Sequence, residues 1–350
     1  LYGGGTGLAL AAILAVLEVS LSFDNAVVNA TVLVRMSPFW QKIFLTVGVA
    51  IAVFGMRLVF PLLIVGITAK LNPVEAVHLA LQKGDVHTKG SYGYLLHQAH
   101  PAIAAFGGIF LLMLFLDFMF EERELTWLTW IERPLARIGK LDQLSVAVAL
   151  GLLVISAYEL APAGKSSTVL ASGVLGLITY LLVNGLGALF DTDEDAAEEE
   201  GDHVHVAKDG TRIVQAVGKA AFFLFLYIEV LDASFSFDGV VGAFAITSDP
   251  IVIAIGLGVG AMFIRSLTVF LVRKGTLSEY EYLEHGALWA IGALAVLLLI
   301  TMKHEVPEVV TGLIGVGFIA AAFISSIVRN KNAAVAGEQS DPSDREPAVL

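Results

Sequence analysis

The sequence contains no cysteine, and only 15% of its 350 residues are charged. Without cysteine there are no disulfide bonds, thiolate metal ligands or cysteine nucleophiles, so any metal site has to use oxygen or imidazole ligands. Soluble globular domains usually carry about 25% charged residues, so this chain has too few charges for most of it to face water. Apolar residues are abundant instead: 57% of the chain is hydrophobic and the mean hydropathy is +0.79. The composition therefore predicts an integral membrane protein.

Long apolar segments recur along the whole chain. A membrane-spanning helix needs about 20 mostly apolar residues, and this length predicts an all-α, polytopic transmembrane bundle of about nine spans. The predicted spans are 8–34, 43–68, 101–120, 145–161, 168–190, 214–247, 250–272, 286–302 and 307–328.

Polar segments divide the chain into two predicted membrane halves. Residues 1–190 form the first half and residues 214–328 the second; an acidic cytoplasmic linker at 191–213 joins them, and 329–350 is expected to be a disordered cytoplasmic tail. Lysine and arginine favour cytoplasmic loops, and here the odd-numbered loops carry more of them. The chain is therefore expected to be a multi-pass protein of the cell membrane with the lipid bilayer as its partner. No nucleic-acid partner is expected, and no protein partner is indicated.

Two segments of the sequence resemble each other, EVSLSFDN at 18–25 and DASFSFDG at 232–239. Each has two acids six residues apart with two serines between them, and an arginine follows in the next predicted helix, Arg57 in one case and Arg265 in the other. The segments lie in the first and sixth predicted spans, so the two halves are offset by five spans. Because successive spans cross the membrane in opposite directions, an odd offset places the second half upside down relative to the first. Inverted repeats are common in transporters, with the site where the halves meet. The competing interpretation is chance similarity among apolar helices.

Acidic residues inside the predicted spans are the main functional signal. Each costs roughly 2.5–3.5 kcal/mol at the centre of a bilayer helix, so these side chains have to face the protein interior and be paired, protonated or metal-bound. Arginines in neighbouring spans provide a purely structural alternative, but two arginines cannot neutralise five acids. The five acids are Glu18, Asp24, Glu229, Asp232 and Asp238, and the arginines are Arg57 and Arg265.

Helical spacing places oxygen-bearing side chains on one face of each motif helix. The first face is Glu18, Ser22, Asn25 and Asn29, and the matching one is Glu229, Asp232, Ser236 and Gly239. Asp24 and Asp238 lie about 100° away from these faces. Either the helix unwinds at the motif, or each acid meets its counterpart from the other repeat; a shared central site is the favoured interpretation. Carboxylate, amide and hydroxyl oxygens suit Mn²⁺, Mg²⁺ or Ca²⁺ better than Zn²⁺ or Cu⁺.

The segments LEVSLSFDNAV at 17–27 and LDASFSFD at 231–238 resemble the two signature motifs of the TerC family, which is named from tellurium resistance and belongs to a LysE-like superfamily. The resemblance covers most of residues 8–328. It implies a role in metal-ion homeostasis, with manganese export as the activity. Gly239 departs from the serine that usually follows the last acid. The resemblance implies metal binding by Glu18, Asp24, Asn25, Asp232 and Asp238. The polar helix faces and the buried charges predict five supporting residues, Ser22, Ser236, Glu229, Arg57 and Arg265.

The leading functional hypothesis is a transporter that exports a divalent metal cation, with Mn²⁺ as the favoured ion, through buried carboxylates between two repeats. The cation is its substrate, and no tightly bound cofactor is expected. The alternative is a membrane scaffold or metal-delivery protein that acts in metal or tellurite stress without transporting. An enzyme is not expected, because the sequence has no nucleotide-binding glycine loop, nucleophile motif or zinc-protease signature.

Overall fold

The fold is helical, as the sequence predicts. The computed structural model describes residues 3–84, 86–123, 125–141, 143–194, 204–206, 212–214, 216–304 and 306–340. The first half consists of α1 Gly4–Leu21, α2 Phe23–Leu33, α3 Pro38–Ile43, the π-helical segments π1 Phe44–Gly48 and π2 Ile51–Val59, α4 Phe60–Ala69, α5 Pro73–Leu81, α6 Tyr92–Phe120, α7 Thr129–Ile138, α8 Leu144–Glu159 and α9 Ser166–Glu194. The remainder consists of β1 Val204–Val206, β2 Arg212–Val214, α10 Gly218–Ile246, α11 Pro250–Lys274, α12 Thr276–Glu279, α13 Leu283–Thr301 and α14 Glu308–Ser340.

Local sequence signals explain where several helices begin and end. Asn72 and Glu75 form a reciprocal capping box at the start of α5, which satisfies two backbone N–H groups that the helix leaves free. The Asp249 carboxylate accepts backbone N–H bonds at the start of α11. That helix ends at Gly275, whose φ of 68° lies in the left-handed region that glycine adopts without strain.

Seven helices of the described chain are long and apolar enough to cross a membrane, so a multi-pass membrane protein is supported. They are Gly4–Leu21, Pro38–Ile67, Tyr92–Phe120, Ser166–Gly185, Pro250–Lys274, Leu283–Thr301 and Val310–Asn332. The sequence predicts about nine. Two predicted spans are not among the seven found in the described residues: α8 is apolar but has 16 residues, and α10 has 29 residues and contains three acids.

The structure departs from the predicted linker and tail. Helix α9 continues to Glu194, beyond the predicted end of the first half, and β1 pairs antiparallel with β2 inside the predicted linker. Residues 195–203, 207–211 and 215 of the linker region lie outside the described residues. Helix α14 continues to Ser340, although the sequence predicts disorder from 329; alanines at 333, 334 and 336 favour this helical continuation. The last ten positions, 341–350, lie outside the described residues.

The main apolar core surrounds α6, which packs against α9 and α13. Helix α1 packs against α11, and α10 packs against π2, so the two motif helices each contact the opposite half of the chain. Close approach depends on glycine: a Cβ at Gly260 would lie 2.5 Å from Glu18 Cβ, and one at Gly256 would lie 2.6 Å from Leu14 Cβ. The absence of side chains at these positions brings α11 against the acidic end of α1.

Candidate functional site

The helix that carries the first motif is interrupted in the middle of that motif. Helix α1 ends at Leu21, Ser22 has φ −101° and ψ 15°, and α2 begins at Phe23. The second motif lies within the continuous helix α10. Unwinding, one of the two arrangements considered for the sequence, is therefore observed in the first motif alone.

Glu18 forms a buried ion pair with Arg57. Its Oε1 accepts a hydrogen bond from Arg57 Nη2 at 2.5 Å and one from Ser22 Oγ at 3.1 Å. Arg57 Nη1 donates to the Ala52 carbonyl oxygen at 2.6 Å, five residues earlier in π2. The Arg57 and Glu18 side chains are only 2% and 4% exposed. A charge pair this deep is held by these specific hydrogen bonds, since neither group is hydrated.

Arg265 forms a second buried centre with two acids of α10. Its Nη1 and Nη2 donate to the two carboxylate oxygens of Glu229 at 2.8 and 3.0 Å, and Nη2 also donates to Asp232 Oδ2 at 3.0 Å. The guanidinium lies 4.4 Å from the centre of the Phe44 ring. A Cβ at Gly48 would lie 2.3 Å from Arg265 Nη1, so the arginine fits because position 48 has no side chain.

A small cavity of about 40 Å³, lined by both polar and apolar residues, lies between the two motifs. It is lined by Glu18, Leu21, Ser22, Asn25, Phe235, Gly239, Leu294 and Thr311. The buried Asn25 Oδ1 has no hydrogen-bond partner within the described structure. Glu18 Oε2 faces Gly239, where a Cβ would lie 3.3 Å away. The cavity can hold an ion or a few water molecules, since about 10–15 Å³ of such space accommodates one water.

Two further polar side chains near the motifs are buried without partners. Asn29 is 0% exposed, and neither its oxygen nor its nitrogen forms a hydrogen bond within the described residues. Ser236 is 5% exposed, and its hydroxyl also has no partner among them. Unsatisfied buried polar atoms cost about 1–3 kcal/mol each. They therefore indicate a region that takes up water or another ligand.

The structure brings together only some of the predicted ligands. Glu18 and Asn25 line the cavity, whereas Asp232 is paired with Arg265 and does not. The side chains of Asp24 and Asp238 lie outside the described residues, although their backbones belong to α2 and α10. No three histidine, aspartate or glutamate side chains of the described chain form a group that could hold a metal ion. Among the side chains that the structure describes, Glu18 and neutral oxygens are the groups at this cavity that could hold a cation.

The predicted supporting residues divide between the two centres. Ser22 and Arg57 hold Glu18, and Glu229 is the bidentate partner of Arg265. Ser236 contributes one of the unpartnered hydroxyls. With Asp232 included, the two centres contain three carboxylates and two guanidinium groups.

A buried acid at the edge of the bundle was missed by sequence reasoning. Glu132 of α7 accepts backbone N–H bonds from Trp127 at 2.9 Å and Leu128 at 3.1 Å, and the Trp289 indole N–H at 3.1 Å. His285 Nδ1 lies 3.2 Å from Glu132 Oε2, the oxygen that also accepts the Trp127 N–H bond. Burial alone would raise the pKa of Glu132, but these neighbours outweigh it and lower the pKa to about 2. Because Arg133 and Arg137 follow it in a segment between spans, this acid is indistinguishable in sequence from surface charge.

The model of one protein family matches most of the chain. The profile described as Protein of unknown function (DUF475) matches residues 23–333. The chain belongs to the DUF475 family. No curated protein and no solved structure matches it.

Membership of DUF475 corrects the resemblance to the TerC family, which is wrong. The motifs behind that resemblance consist of acids, serines and phenylalanines at helical spacing, and any bundle that buries charge inside apolar helices uses similar residues. Manganese export and tellurium resistance followed from that resemblance and do not follow from DUF475. The buried acids, arginines and cavity are properties of this chain, and the functional argument has to start from them.

Proposed function

We propose that this DUF475 protein is a membrane transporter for a hard divalent cation such as Mn²⁺, Mg²⁺ or Ca²⁺, and that the cation binds in the cavity between the two motifs. The observation that carries the proposal is the pair of oxygens at this cavity, Glu18 Oε2 and the unpartnered Asn25 Oδ1. Ser22 and Thr311, which carry hydroxyl groups, line the same cavity. Carboxylate, amide and hydroxyl oxygens are the ligands that these cations prefer.

The charge balance of the motif helices favours a cation. Only two arginines pair with the three carboxylates of Glu18, Glu229 and Asp232. These five described side chains together carry one excess negative charge. Asp24 directly precedes the cavity-lining Asn25, and Asp238 directly precedes the cavity-lining Gly239. A carboxylate at this depth is costly unless it is paired, protonated or bound to a metal ion. A bound cation or proton would remove that cost.

A larger cavity of about 420 Å³ lies farther along α2, and we infer that cations enter through it from one side of the bundle. Val28 and Thr31 of α2 line it, less than two turns beyond Asn25, and the buried Asn29 lies between them in sequence. Its lining contains three acids and two arginines, Asp117, Glu121, Glu284, Arg35 and Arg123, which leaves one net negative charge. Negative charge at a mouth concentrates cations there.

Contacts between loops support α10 as a further span. The Ala216 N–H, just before α10, donates to the Arg35 carbonyl oxygen at 2.7 Å. Beyond the other end of α10, Asp249 pairs with Lys83 at 2.7 Å. Arg35 precedes the candidate span Pro38–Ile67 and Lys83 follows it. Because that span separates these two loops, α10 has to cross the same distance.

The same reasoning applies to α8. Before α8, Glu132 lies beside His285 at the start of α13. At the end of α8, the carbonyl oxygen of Glu159 accepts a hydrogen bond at 2.7 Å from Lys303, which lies just after α13. Helix α13 is itself a candidate span. With α8 and α10, and with α1 and α2 as one broken span, we infer nine crossings.

An inverted repeat is supported by reciprocal contacts. Glu18 of the first motif pairs with Arg57 in the following helical segment, and Asp232 at the equivalent place pairs with Arg265 in the following helix. Helix α1 packs on α11 while α10 packs on π2, and α13 packs on α2 while α6 packs on α10. The first span of each half thus contacts the second span of the other half, and the third span of each half contacts the first span of the other, as expected of two related halves.

The proposal is tested with purified protein, by calorimetry for cation binding and by flux into liposomes. We expect Asn25→Leu and Thr311→Val to weaken binding at least tenfold, since each removes a cavity oxygen without changing charge. Ser156→Ala is the matched control, because Ser156 is equally buried in α8 but does not line the cavity. The proposal is contradicted if the wild-type protein binds none of Mn²⁺, Mg²⁺ and Ca²⁺. It is also contradicted if folded Asn25→Leu protein shows unchanged cation flux.

The second candidate is a scaffold or metal-delivery protein that does not transport. It is favoured by one observation: Glu18, Glu229 and Asp232, the described acids of the two motif helices, are already paired with arginines, as purely structural ion pairs would be. On this hypothesis Glu18→Gln lowers stability, and liposomes that contain the wild-type protein show no cation flux even when the cation binds. Flux that depends on Asn25 excludes it.

A further inference from the structure

Helix α7 has the character of a helix that lies at the membrane boundary. Its outward face exposes Trp130 by 77% and Ile138 by 50%, and Leu141 just beyond is 62% exposed. On its inner side Glu132 is buried and contacts two residues of α13: it accepts a hydrogen bond from the Trp289 indole N–H and lies 3.2 Å from His285 Nδ1. Tryptophan beside basic residues is typical of the interface between hydrocarbon and headgroups.

An open cavity of about 390 Å³ lies behind this helix, between α7, the end of α6 and the start of α13. Three arginines line it, Arg123, Arg133 and Arg137. Arg133 and Arg137 are one helical turn apart on α7, so their side chains emerge on the same face about 5–6 Å from each other.

The acids around this cavity are already engaged by other groups. Glu121 pairs with Arg123 at 2.6 Å and Glu122 pairs with Lys140 at 2.9 Å. Glu132 accepts three N–H hydrogen bonds. Arg133 and Arg137, in contrast, form no ion pair with any residue that the structure describes. Two exposed cations thus remain at a cavity whose acidic groups are already engaged.

We propose that this cavity binds the phosphate group of an anionic phospholipid, and that Arg133 and Arg137 hold it. Guanidinium groups match the geometry of phosphate oxygens with paired N–H donors. The exposed Trp130 and Ile138 beside the arginines provide an apolar surface for the acyl chains, which a soluble phosphate would not need. The ligand is therefore assigned to the bilayer rather than to the aqueous phase.

The proposal is tested with the full chain in nanodiscs of phosphatidylcholine that contain increasing fractions of phosphatidylglycerol, with retained lipid counted by native mass spectrometry. The variant is Arg133→Gln/Arg137→Gln. The matched control is Arg273→Gln/Lys274→Gln, which removes two exposed positive charges at the end of α11. A parallel series offers inorganic phosphate in the absence of phosphatidylglycerol.

We expect the wild-type protein and the α11 control to retain phosphatidylglycerol equally. The α7 variant should lose affinity about fivefold per arginine, or about 25-fold in total. Equal retention by the α7 variant, or equal loss in the α11 control, overturns the site. Binding of inorganic phosphate without retention of phosphatidylglycerol overturns the assignment to lipid.

Discussion

Gly48→Ala perturbs the Arg265 centre without changing any charge. The added Cβ would lie 2.3 Å from Arg265 Nη1 and 2.8 Å from Glu229 Oε1, much closer than ordinary van der Waals contact. Both partners are buried, with 1% and 5% of their side chains exposed, so neither can swing into solvent. We therefore expect the bidentate bond to break or the helices to separate.

The magnitude follows from three opposing contributions. Overpacking a close-packed interior costs about 1–3 kcal/mol, and separating a buried ion pair costs about 3–5 kcal/mol. Alanine favours a helix over glycine by about 1 kcal/mol. Because relaxation spares part of the ion pair, we expect the free energy of unfolding to fall by about 2–4 kcal/mol.

The assay is denaturation of the full chain in mixed micelles. Gly151→Ala in α8 is the matched control, since a Cβ there meets no atom within 4 Å, and it should be neutral or slightly stabilising. In an Arg265→Lys background, which removes Nη1 but keeps the charge, Gly48→Ala should cost markedly less. If Gly48→Ala is as stable as the wild type, or costs the same in both backgrounds, the reasoning about this centre is refuted.

Three further outcomes are expected in the same assay. Arg57→Gln should lower the free energy of unfolding by about 3–5 kcal/mol because it leaves the Glu18 carboxylate buried without a partner. Adding Glu18→Gln should restore part of the lost stability, and a double variant as unstable as Arg57→Gln would contradict the pairing. The lowered pKa of Glu132 stabilises the fold fully above its ordinary value of 4.5, and this contribution disappears as the pH falls towards 2, so Glu132→Gln should flatten the stability profile in that window. Gly176→Ala should cost about 1–3 kcal/mol, since its Cβ would lie 2.3 Å from the Phe106 carbonyl oxygen and force α9 away from α6; an unchanged stability would show that these helices separate freely.

Several features of the candidate site were predictable from residue types and spacing. The 3.6-residue period places Glu18, Ser22 and Asn25 on one face, and in the structure all three line the same cavity. Their burial was expected because a carboxylate or amide is costly in contact with lipid. The involvement of Arg57 and Arg265 was expected for the same reason, since an acid at that depth needs a partner.

The family was not predictable from the motifs. Short segments such as those at 18–25 and 232–239 describe how an apolar helix accommodates acids, and this requirement is shared by unrelated membrane proteins. The DUF475 match rests on residues 23–333 and uses far more of the chain.

By itself, the sequence determined the properties that each residue carries wherever the helices pack: apolar spans, acids inside them and a polar face on each motif helix. The tertiary structure alone decided that Arg57 holds one acid while Arg265 holds two, that a cavity separates Asn25 from Gly239, and that Glu132 is buried. Side chains such as Arg265 and Glu229, 36 positions apart, meet only because π1, α10 and α11 pack together. Burial depends on neighbours distant in the chain, and a local pattern of residues does not contain them.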